Sequence, residues 1–211
     1  MQLALSHRLW ACLALPFFWA CSGRPVKTVG NLRHVAASER NAMLRYRSCS
    51  ARAREEGLVN VANLFSALAC SEEIHVQHHI ELLSKYGETV TIDQLPIDSM
   101  FRAETTVKNL RGSLRRETYE SMTAFPIFEK TAATEGADEA EQFFRWLATV
   151  ATRHGEYCRR VLEQLNRDGT DQNVVNSWSV CPRCGGMYET VGLQENCEVC
   201  EMPASVFHLF Q

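Results

Sequence analysis

The fold is decided by residues 59–86, which read VNVANLFSALACSEEIHVQHHIELLSKY. Apolar residues such as Phe65 and Leu68 recur every three or four positions, the spacing that gives a helix one buried face. Glu72 and His75 continue this apolar stripe, three residues apart. A carboxylate on a buried face needs a partner or a bound cation, because burial of an unpaired charge is unfavourable. The stretch therefore predicts a core helix that contributes metal ligands.

Three further segments carry the same periodicity, and short turns join the four segments in pairs. The predicted helices span 29–56, 59–86, 104–134 and 138–166. Gly57 and Gly136 each mark a tight turn, so each pair should form an antiparallel hairpin. Residues 87–103 form a longer connection, and Pro126 is expected to bend the third helix. Two hairpins joined by one crossover are typical of a ferritin-like four-helix bundle, which we place at 27–168.

The two hairpins also resemble each other in sequence. Glu56-Gly57 recurs as Glu135-Gly136, at an offset of 79 residues. The same offset relates Phe65 to Phe144, Leu68 to Leu147 and His75 to His154. Self-similarity at a fixed offset indicates that the bundle consists of two related halves.

Carboxylates and histidines occupy inward positions on all four predicted helices. A di-iron carboxylate site takes one glutamate from each of two helices and a Glu-x-x-His pair from each of the other two. The candidate ligands are Glu39, Glu72, His75, Glu117, Glu120 and His154. Carboxylate oxygens and imidazole nitrogens suit iron or manganese. The set predicts a two-metal site in the centre of the bundle.

One position departs from this scheme. The offset of 79 pairs Glu72 with Ala151, where a second Glu-x-x-His motif would need its glutamate. Alanine offers no ligand atom, and Arg116 and Arg153 would add positive charge near the cations. The sequence leaves three outcomes open: two metals with water or Glu156 in the gap, a single metal, or none.

A small cysteine module follows a polar linker at 169–176. Residues 177–211 contain two Cys-x-x-Cys pairs separated by twelve residues. The four cysteines are Cys181, Cys184, Cys197 and Cys200. Their spacing suits one tetrahedral iron or zinc ion and does not distinguish between the two metals. Trp178, Tyr188 and Phe207 are expected to complete the core of this module.

The composition excludes two broad classes of protein. The chain has 211 residues, a formal net charge of -3 and 45% hydrophobic residues. This proportion of apolar residues is enough to build a core and excludes a disordered chain. The near-neutral charge argues against a nucleic-acid partner bound through bulk electrostatics.

Residues 1–22 have the features of an export signal. Arg8 precedes an apolar stretch that is too short to span a bilayer as a helix. Ala20-Cys21 resembles the cleavage site of a bacterial lipoprotein. The favoured interpretation is a cell-envelope lipoprotein anchored at Cys21. The alternative is an uncleaved extension on a cytoplasmic protein.

Taken in order, these motifs resemble those of the rubrerythrin family, over residues 29–210. The matching motifs are Ser38-Glu39-Arg40-Asn41, Glu72-x-x-His75, Glu117-x-x-Glu120, Phe125-Pro126, His154 and the two C-terminal cysteine pairs. The resemblance implies a mostly α protein, with a ferritin-like four-helix bundle followed by a rubredoxin-like four-cysteine module. Ala151 stands where the family has its second bridging glutamate.

The resemblance also implies an activity. In the family, the four-cysteine iron passes electrons to the di-iron site, which reduces hydrogen peroxide to water in oxidative-stress defence. The six carboxylate and histidine ligands would be catalytic together with Tyr46, whose hydroxyl would hydrogen-bond a ligand carboxylate. A rubredoxin or an NAD(P)H-dependent reductase would donate the electrons. A head-to-tail homodimer would place a cysteine module, far from its own bundle, beside the partner's di-iron site.

Ala151 keeps other functions open. One alternative is a ferritin-like iron-binding protein whose impaired di-iron site lacks fast peroxidase activity. Another is a structural protein in which the four-cysteine site holds zinc and has no redox role.

Overall fold

The computed structural model describes residues 23–211 as a helical bundle with a small sheet at its C-terminal end. The proposed signal segment and Cys21 lie outside the described residues. The helices are α1 (Val26–Glu55), α2 (Val59–Lys85), α3 (Thr106–Tyr119), α4 (Phe125–Thr134) and α5 (Asp138–Asp168). The strands are β1 (Trp178–Val180), β2 (Met187–Glu189) and β3 (His208–Phe210). The mostly α architecture expected from the sequence is confirmed.

Two helical hairpins and one crossover build the bundle. Helices α1 and α2 form the first hairpin, and α3, α4 and α5 form the second. Residues 86–105 connect the hairpins and contain one short 3-10 turn, Ile92–Gln94. Within residues 23–211, no helix has the length and apolar character needed to cross a membrane.

Both hairpins turn in the same way. Gly57 and Gly136 adopt left-handed backbone conformations, with φ angles of 76° and 67°. In each turn the next N–H reaches back to a carbonyl five residues earlier: Leu58 donates to Ala53 and Ala137 donates to Ala132, both at 2.9 Å. Glycine suits both positions because it has no Cβ to oppose a positive φ.

The repeated glutamates before these glycines cap helices in the opposite hairpin. Helices α1 and α3 begin without a capping side chain of their own. The Glu135 carboxylate accepts hydrogen bonds from the N–H groups of Lys27 (3.1 Å) and Thr28 (2.7 Å) at the start of α1. Glu56 accepts one from the N–H of Thr106 (3.1 Å) at the start of α3. The sequence repeat therefore reflects a reciprocal contact, in which each half satisfies free N–H groups of the other.

The predicted third helix, 104–134, is not one regular α-helix. A π-helical turn, Glu120–Ala124, separates α3 from α4, and the N–H of Phe125 donates to Glu120 five residues back. The next residue is Pro126, which has no N–H and whose ring would collide with a carbonyl in a regular helix. The wider turn lets the helical segment continue from α3 into α4 past the proline, and it sets the direction of the Glu120 side chain.

Two apolar clusters fill the bundle and leave a polar layer between them. Large buried residues of the first are Phe65, Leu68, Leu110, Val161 and Trp178, and those of the second are Leu32, Leu83, Phe143, Phe144 and Leu147. The residues paired by the offset of 79 (Phe65 with Phe144, Leu68 with Leu147) are all fully buried. The layer between the clusters contains the candidate metal ligands.

The cysteine module packs against its own bundle. The sheet order is β2-β1-β3, with both pairs antiparallel. Trp178 was expected in the core around the cysteines, but it belongs to the apolar core of the bundle. Tyr188 and Phe207 do pack around the cysteines. The hydroxyl of Tyr157 on α5 donates to the Met187 carbonyl at 3.0 Å. The expectation that the module lies far from its own bundle is therefore wrong for this structure, because β1 buries its apolar residues on α2.

Replacing Asp171 by alanine should destabilise the bundle by about 1–2 kcal/mol. This buried residue after α5 accepts hydrogen bonds from the N–H groups of Asn60 (2.7 Å) and Val61 (3.3 Å) at the start of α2. Urea denaturation measures the change. Asp93, whose side chain is 93% exposed, provides the control, and Asp93→Ala should change the free energy of unfolding by less than about 0.5 kcal/mol. Equal losses in both variants would contradict the capping role.

Candidate metal centres

Four carboxylates and two histidines meet in a small enclosed cavity in the polar layer. Each of Glu39, Glu72, Glu117 and Glu120 is at most 8% exposed, and His75 and His154 are at most 3% exposed. They project from α1, α2, α3, the π turn and α5, each at the position where the apolar stripe of its helix is interrupted. All six sequence-predicted ligands therefore line one cavity.

The donor atoms form two groups of three that share Glu72. One group is Glu39, Glu72 and His75, and the other is Glu72, Glu117 and His154. Nδ1 of His75 lies 3.5 Å from Oε2 of Glu72, and Nδ1 of His154 lies 3.7 Å from Oε1 of the same carboxylate. Donors bound to one ion at 2.0–2.2 Å lie about 3–3.6 Å apart, so each group has nearly the right spacing. One carboxylate thus presents an oxygen to each of two metal positions.

Unpartnered buried atoms indicate that these positions suit cations. Oε2 of Glu39 and the Nδ1 atoms of His75 and His154 are buried without a hydrogen-bond partner among the described residues. Such atoms are rare in folded proteins unless an ion or a water satisfies them. All three can coordinate a metal. The donor set therefore fits the iron or manganese expected from the sequence.

Burial shifts the protonation equilibria of the cavity. It raises the pKa of Glu39 to about 7, against the opposing effect of His75. Burial and the charge of Glu117 raise the pKa of Glu72 well above its usual range. Burial also works against the ionisation of Glu117, but the neighbouring His154 outweighs it and the pKa of Glu117 is lowered. Burial lowers the pKa of His75, which keeps the ring neutral and able to coordinate a metal.

Glu120 lines the cavity but belongs to neither group of three. Its Oε1 lies 2.7 Å from Nη2 of Arg116, one turn earlier on α3. Burial opposes the charge of Arg116, but Glu120 and Glu72 outweigh it and raise the pKa of the guanidinium. Arg116, anticipated as a nearby charge, is therefore a permanent cation of this layer, whereas Arg153 pairs with Glu198 near the surface.

Ala151 also lines the cavity and is 4% exposed. A longer side chain at this position would project among the ligands. Glu156, considered as a replacement ligand, is exposed and does not enter the cavity.

Two further residues lie against the ligand carboxylates. The Tyr46 hydroxyl donates to Oε1 of Glu117, and burial raises the pKa of this tyrosine so that it keeps its proton. His79 is fully buried, and its Nε2 lies 2.9 Å from Oε2 of Glu39 but outside hydrogen-bonding geometry. His79 is not among the six ligands predicted from the sequence. Its position four residues after His75, on the same helix face, could have predicted that it lies beside the site.

The four cysteines form the second centre. Sγ of Cys181 lies 3.6 Å from Sγ of Cys200, and Sγ of Cys184 lies 3.5 Å from Sγ of Cys197. Four thiolates at 2.3 Å from one tetrahedral ion would lie about 3.8 Å apart, so the arrangement fits such an ion closely. The Tyr188 hydroxyl lies 3.1 Å from Sγ of Cys197 and within hydrogen-bonding distance. Hydrogen bonds to sulfur tune the potential of an iron centre.

A single histidine connects the two centres. Nε2 of His75 donates to the Cys184 carbonyl at 3.1 Å, which leaves Nδ1 free to face the carboxylates. The Ser71 hydroxyl donates to the Gly185 carbonyl at 2.6 Å. Gly185 has a φ of 71°, and a Cβ there would lie 2.3 Å from Nε2 of His75. The cysteine loop, residues 181–185, can approach His75 this closely only because residue 185 is glycine.

This combination of bundle, cavity and cysteine loop can be compared with known proteins. The family model described as Rubrerythrin matches residues 30–162. The chain belongs to the rubrerythrin family. Rubrerythrin-1 of Clostridium acetobutylicum is 27% identical to it over 184 residues, which cover 87% of this chain and 94% of the relative. Rubrerythrin of Clostridium perfringens is 28% identical over 193 residues, covering 88% and 95%.

Solved structures agree with this assignment. The structure of fully reduced, all-ferrous nigerythrin superposes with a TM-score of 0.78 at 26% identity and covers 87% of this chain and 86% of that one. An open-pore ferritin of Archaeoglobus fulgidus, 16% identical, superposes with a TM-score of 0.58 over 70% of this chain and 90% of its own, which shows the shared bundle fold. The protein is thus a distant rubrerythrin relative, with the di-iron type of carboxylate and histidine site and a rubredoxin-like four-cysteine site.

Metal uptake by the bundle should weaken steeply as the pH falls below 7. Glu39, with a pKa of about 7, and Glu72, with a pKa well above its usual range, must both lose protons before they can bind an ion. The affinity for Co²⁺ is therefore expected to fall roughly tenfold or more per pH unit between pH 7 and 6. Absorption titrations of protein whose cysteine site already holds zinc measure this affinity. An affinity that is constant from pH 6 to 8 would contradict the burial of these carboxylates.

Proposed function

We propose that this rubrerythrin-family protein reduces hydrogen peroxide to water with electrons that enter at the four-cysteine site. The balanced reaction is H₂O₂ + 2H⁺ + 2e⁻ → 2H₂O. The electrons come from an external donor, a rubredoxin or an NAD(P)H-dependent reductase. The observation that carries the proposal is the hydrogen bond from His75, a ligand of the bundle site, to the carbonyl of Cys184, a ligand of the cysteine site.

The chain's own residues prepare the bundle site for this reaction. Iron at the two centres would supply the redox chemistry. Glu72 presents one oxygen to each metal position and so sets their spacing. Tyr46 holds Glu117 in place through its hydroxyl, and the apolar clusters on both sides exclude bulk water. The all-ferrous state of nigerythrin supports iron as the metal of this fold.

The contact within one chain supports an internal route for the electrons. The His75 imidazole spans the distance between the cysteine loop and the carboxylate site, and Ser71 fixes the loop beside it. The proposal also includes assembly of the protein as a homodimer and its attachment to the cell envelope through Cys21. Neither is needed for this contact, because both of its sides belong to one chain.

Gly185→Ala should slow reductant-driven peroxide turnover roughly tenfold or more, because the added Cβ would collide with His75 and push the cysteine loop away. Gly192→Ala is the matched control. Gly192 has a similar φ of 83°, but a Cβ there would meet no atom within 4 Å. Stopped-flow assays with metal analysis distinguish lost contact from lost iron. Equal rates in the two variants would contradict the proposed route.

Cys181→Ser provides a second arm of the same experiment. It removes a ligand of the cysteine site but leaves the bundle ligands intact. Turnover driven by an external reductant should be lost while the bundle keeps its iron. Turnover at the wild-type rate would exclude the cysteine site as the entry point for electrons.

A specific observation favours a second candidate function, an iron-binding protein without fast peroxidase activity. Ala151 lines the cavity where the resemblance to the family implies a further glutamate, and Arg116 pairs with Glu120, which belongs to neither group of donor atoms. Iron would then bind with fewer protein ligands. Ferrous iron uptake and oxidation without peroxide turnover would support this function over the first.

Ala151→Glu should raise peroxide turnover, roughly tenfold, and increase the iron content of the bundle, because the new carboxylate would enter the cavity. Ala151→Gln is the matched control, since it has nearly the same size without the charge. Iron per chain, measured anaerobically, and initial rates report the result. With the cysteine site filled, a complete pair would give about three irons per chain. Unchanged iron content and rate would show that position 151 is not limiting.

A further inference from the structure

A basic groove lies next to the bundle site, between α1 and the beginning of α3. Its volume is 270 Å³, and it is separate from the enclosed cavity that holds the candidate ligands. Its charged lining residues are Arg45, Arg102, Glu104, Lys108, Arg115 and Arg116. Five cations and a single anion thus surround one concave space.

Neighbouring carboxylates neutralise only part of this charge. Lys108 pairs with Glu104 at 2.6 Å, and Arg45 and Arg116 pair with Asp98 and Glu120. Arg102 and Arg115 form no ion pair within residues 23–211. Arg102 is held instead by its hydrogen bonds to the carbonyls of Ser99 and Phe101, at 2.8 and 2.7 Å. Two positive charges therefore remain after all of these pairs have formed.

The groove also contains hydrogen-bond donors without acceptors. The Nε atoms of Arg45 and Arg116 are both buried and have no hydrogen-bond partner among the described residues. A guanidinium can only donate, and a buried donor without a partner is unfavourable. A ligand that satisfied both donors would be rich in acceptors and would carry negative charge.

We propose that this groove binds a small oxyanion of the phosphate class. Oxyanions match guanidinium groups in both charge and hydrogen-bond geometry, which makes arginine clusters well suited to them. The volume admits inorganic phosphate and also the phosphate group of a small phosphomonoester. These two sources share one chemistry, so the experiment compares them directly.

The floor of the groove connects it to the bundle site. Tyr46 and Arg116 line the groove, and each also contacts a carboxylate of the cavity, Glu117 and Glu120 respectively. An oxyanion at the floor would compete with Glu120 for the guanidinium of Arg116. Occupancy of the groove would therefore change the position of a carboxylate beside the metal positions.

The test is isothermal titration of the full-length, iron-loaded protein with inorganic phosphate and, separately, with adenosine monophosphate. Wild type should bind one equivalent, and Arg115→Leu should weaken that binding roughly tenfold. Arg111→Leu is the matched control, because Arg111 is an exposed residue one turn earlier on the same helix and does not line the groove. This variant should remain within about twofold of wild type.

Each result has a defined meaning. Tighter binding of adenosine monophosphate than of phosphate would identify a phosphomonoester as the ligand, and equal or tighter binding of phosphate would identify the free anion. Absence of binding would overturn the proposal. Binding that Arg115→Leu leaves unchanged would place the anion outside the groove and would overturn the proposal. Equal losses in the two arginine variants would indicate a diffuse electrostatic effect and would also overturn it.

Discussion

Burial of four carboxylates in one layer of the bundle is the constraint on which the rest of the structure depends. Glu39, Glu72, Glu117 and Glu120 lie between two apolar clusters, where unpaired negative charge is strongly unfavourable. The fold offsets this charge in three ways. Histidines and a tyrosine face the oxygens, one arginine adds a permanent positive charge, and two groups of donor atoms remain for cations.

The second constraint follows from the two nitrogens of His75. The bond from Nε2 to the Cys184 carbonyl places the ring proton on that side, so the lone pair of Nδ1 faces the carboxylates. Movement of the cysteine loop would therefore reorient His75, a candidate metal ligand, as well as open the contact between the two centres. Packing of Trp178 in the bundle core opposes such movement. The small sheet thus contributes to the geometry of a site that contains none of its residues.

Local pattern was sufficient to predict much of this arrangement from the sequence. The spacing of Glu72 and His75 on an apolar stripe, and the two Cys-x-x-Cys pairs, determine which atoms converge, since helix periodicity and loop length leave little freedom. The docking of the cysteine loop on Ser71 and His75 could not be predicted from periodicity or motif spacing. It depends on contacts between residues more than a hundred positions apart, for which one sequence carries no local signal.

The π turn and the direction of Arg116 were missed for a related reason. Pro126 predicted that the third helix would be irregular, but a kink and a widened π turn are equally compatible with a proline. The difference decides where Glu120 points. The sequence had placed the charge of Arg116 near the cations, but it did not indicate that this arginine pairs with Glu120. Helical periodicity therefore identified the residues of the site. The π turn in the backbone determined how Glu120 and Arg116 are oriented within it.

The reciprocal capping by Glu56 and Glu135 has a consequence for the origin of the fold. Each hairpin supplies the carboxylate that the other hairpin needs at the start of a helix. A single hairpin with this sequence could receive the same caps from a second copy of itself, whereas alone it would leave these N–H groups to water. The contact is the one that a twofold-symmetric dimer would make across its axis. Fusion of two such hairpins into one chain would preserve this interface, and Glu72 and Ala151 are one pair of equivalent positions at which the two halves differ.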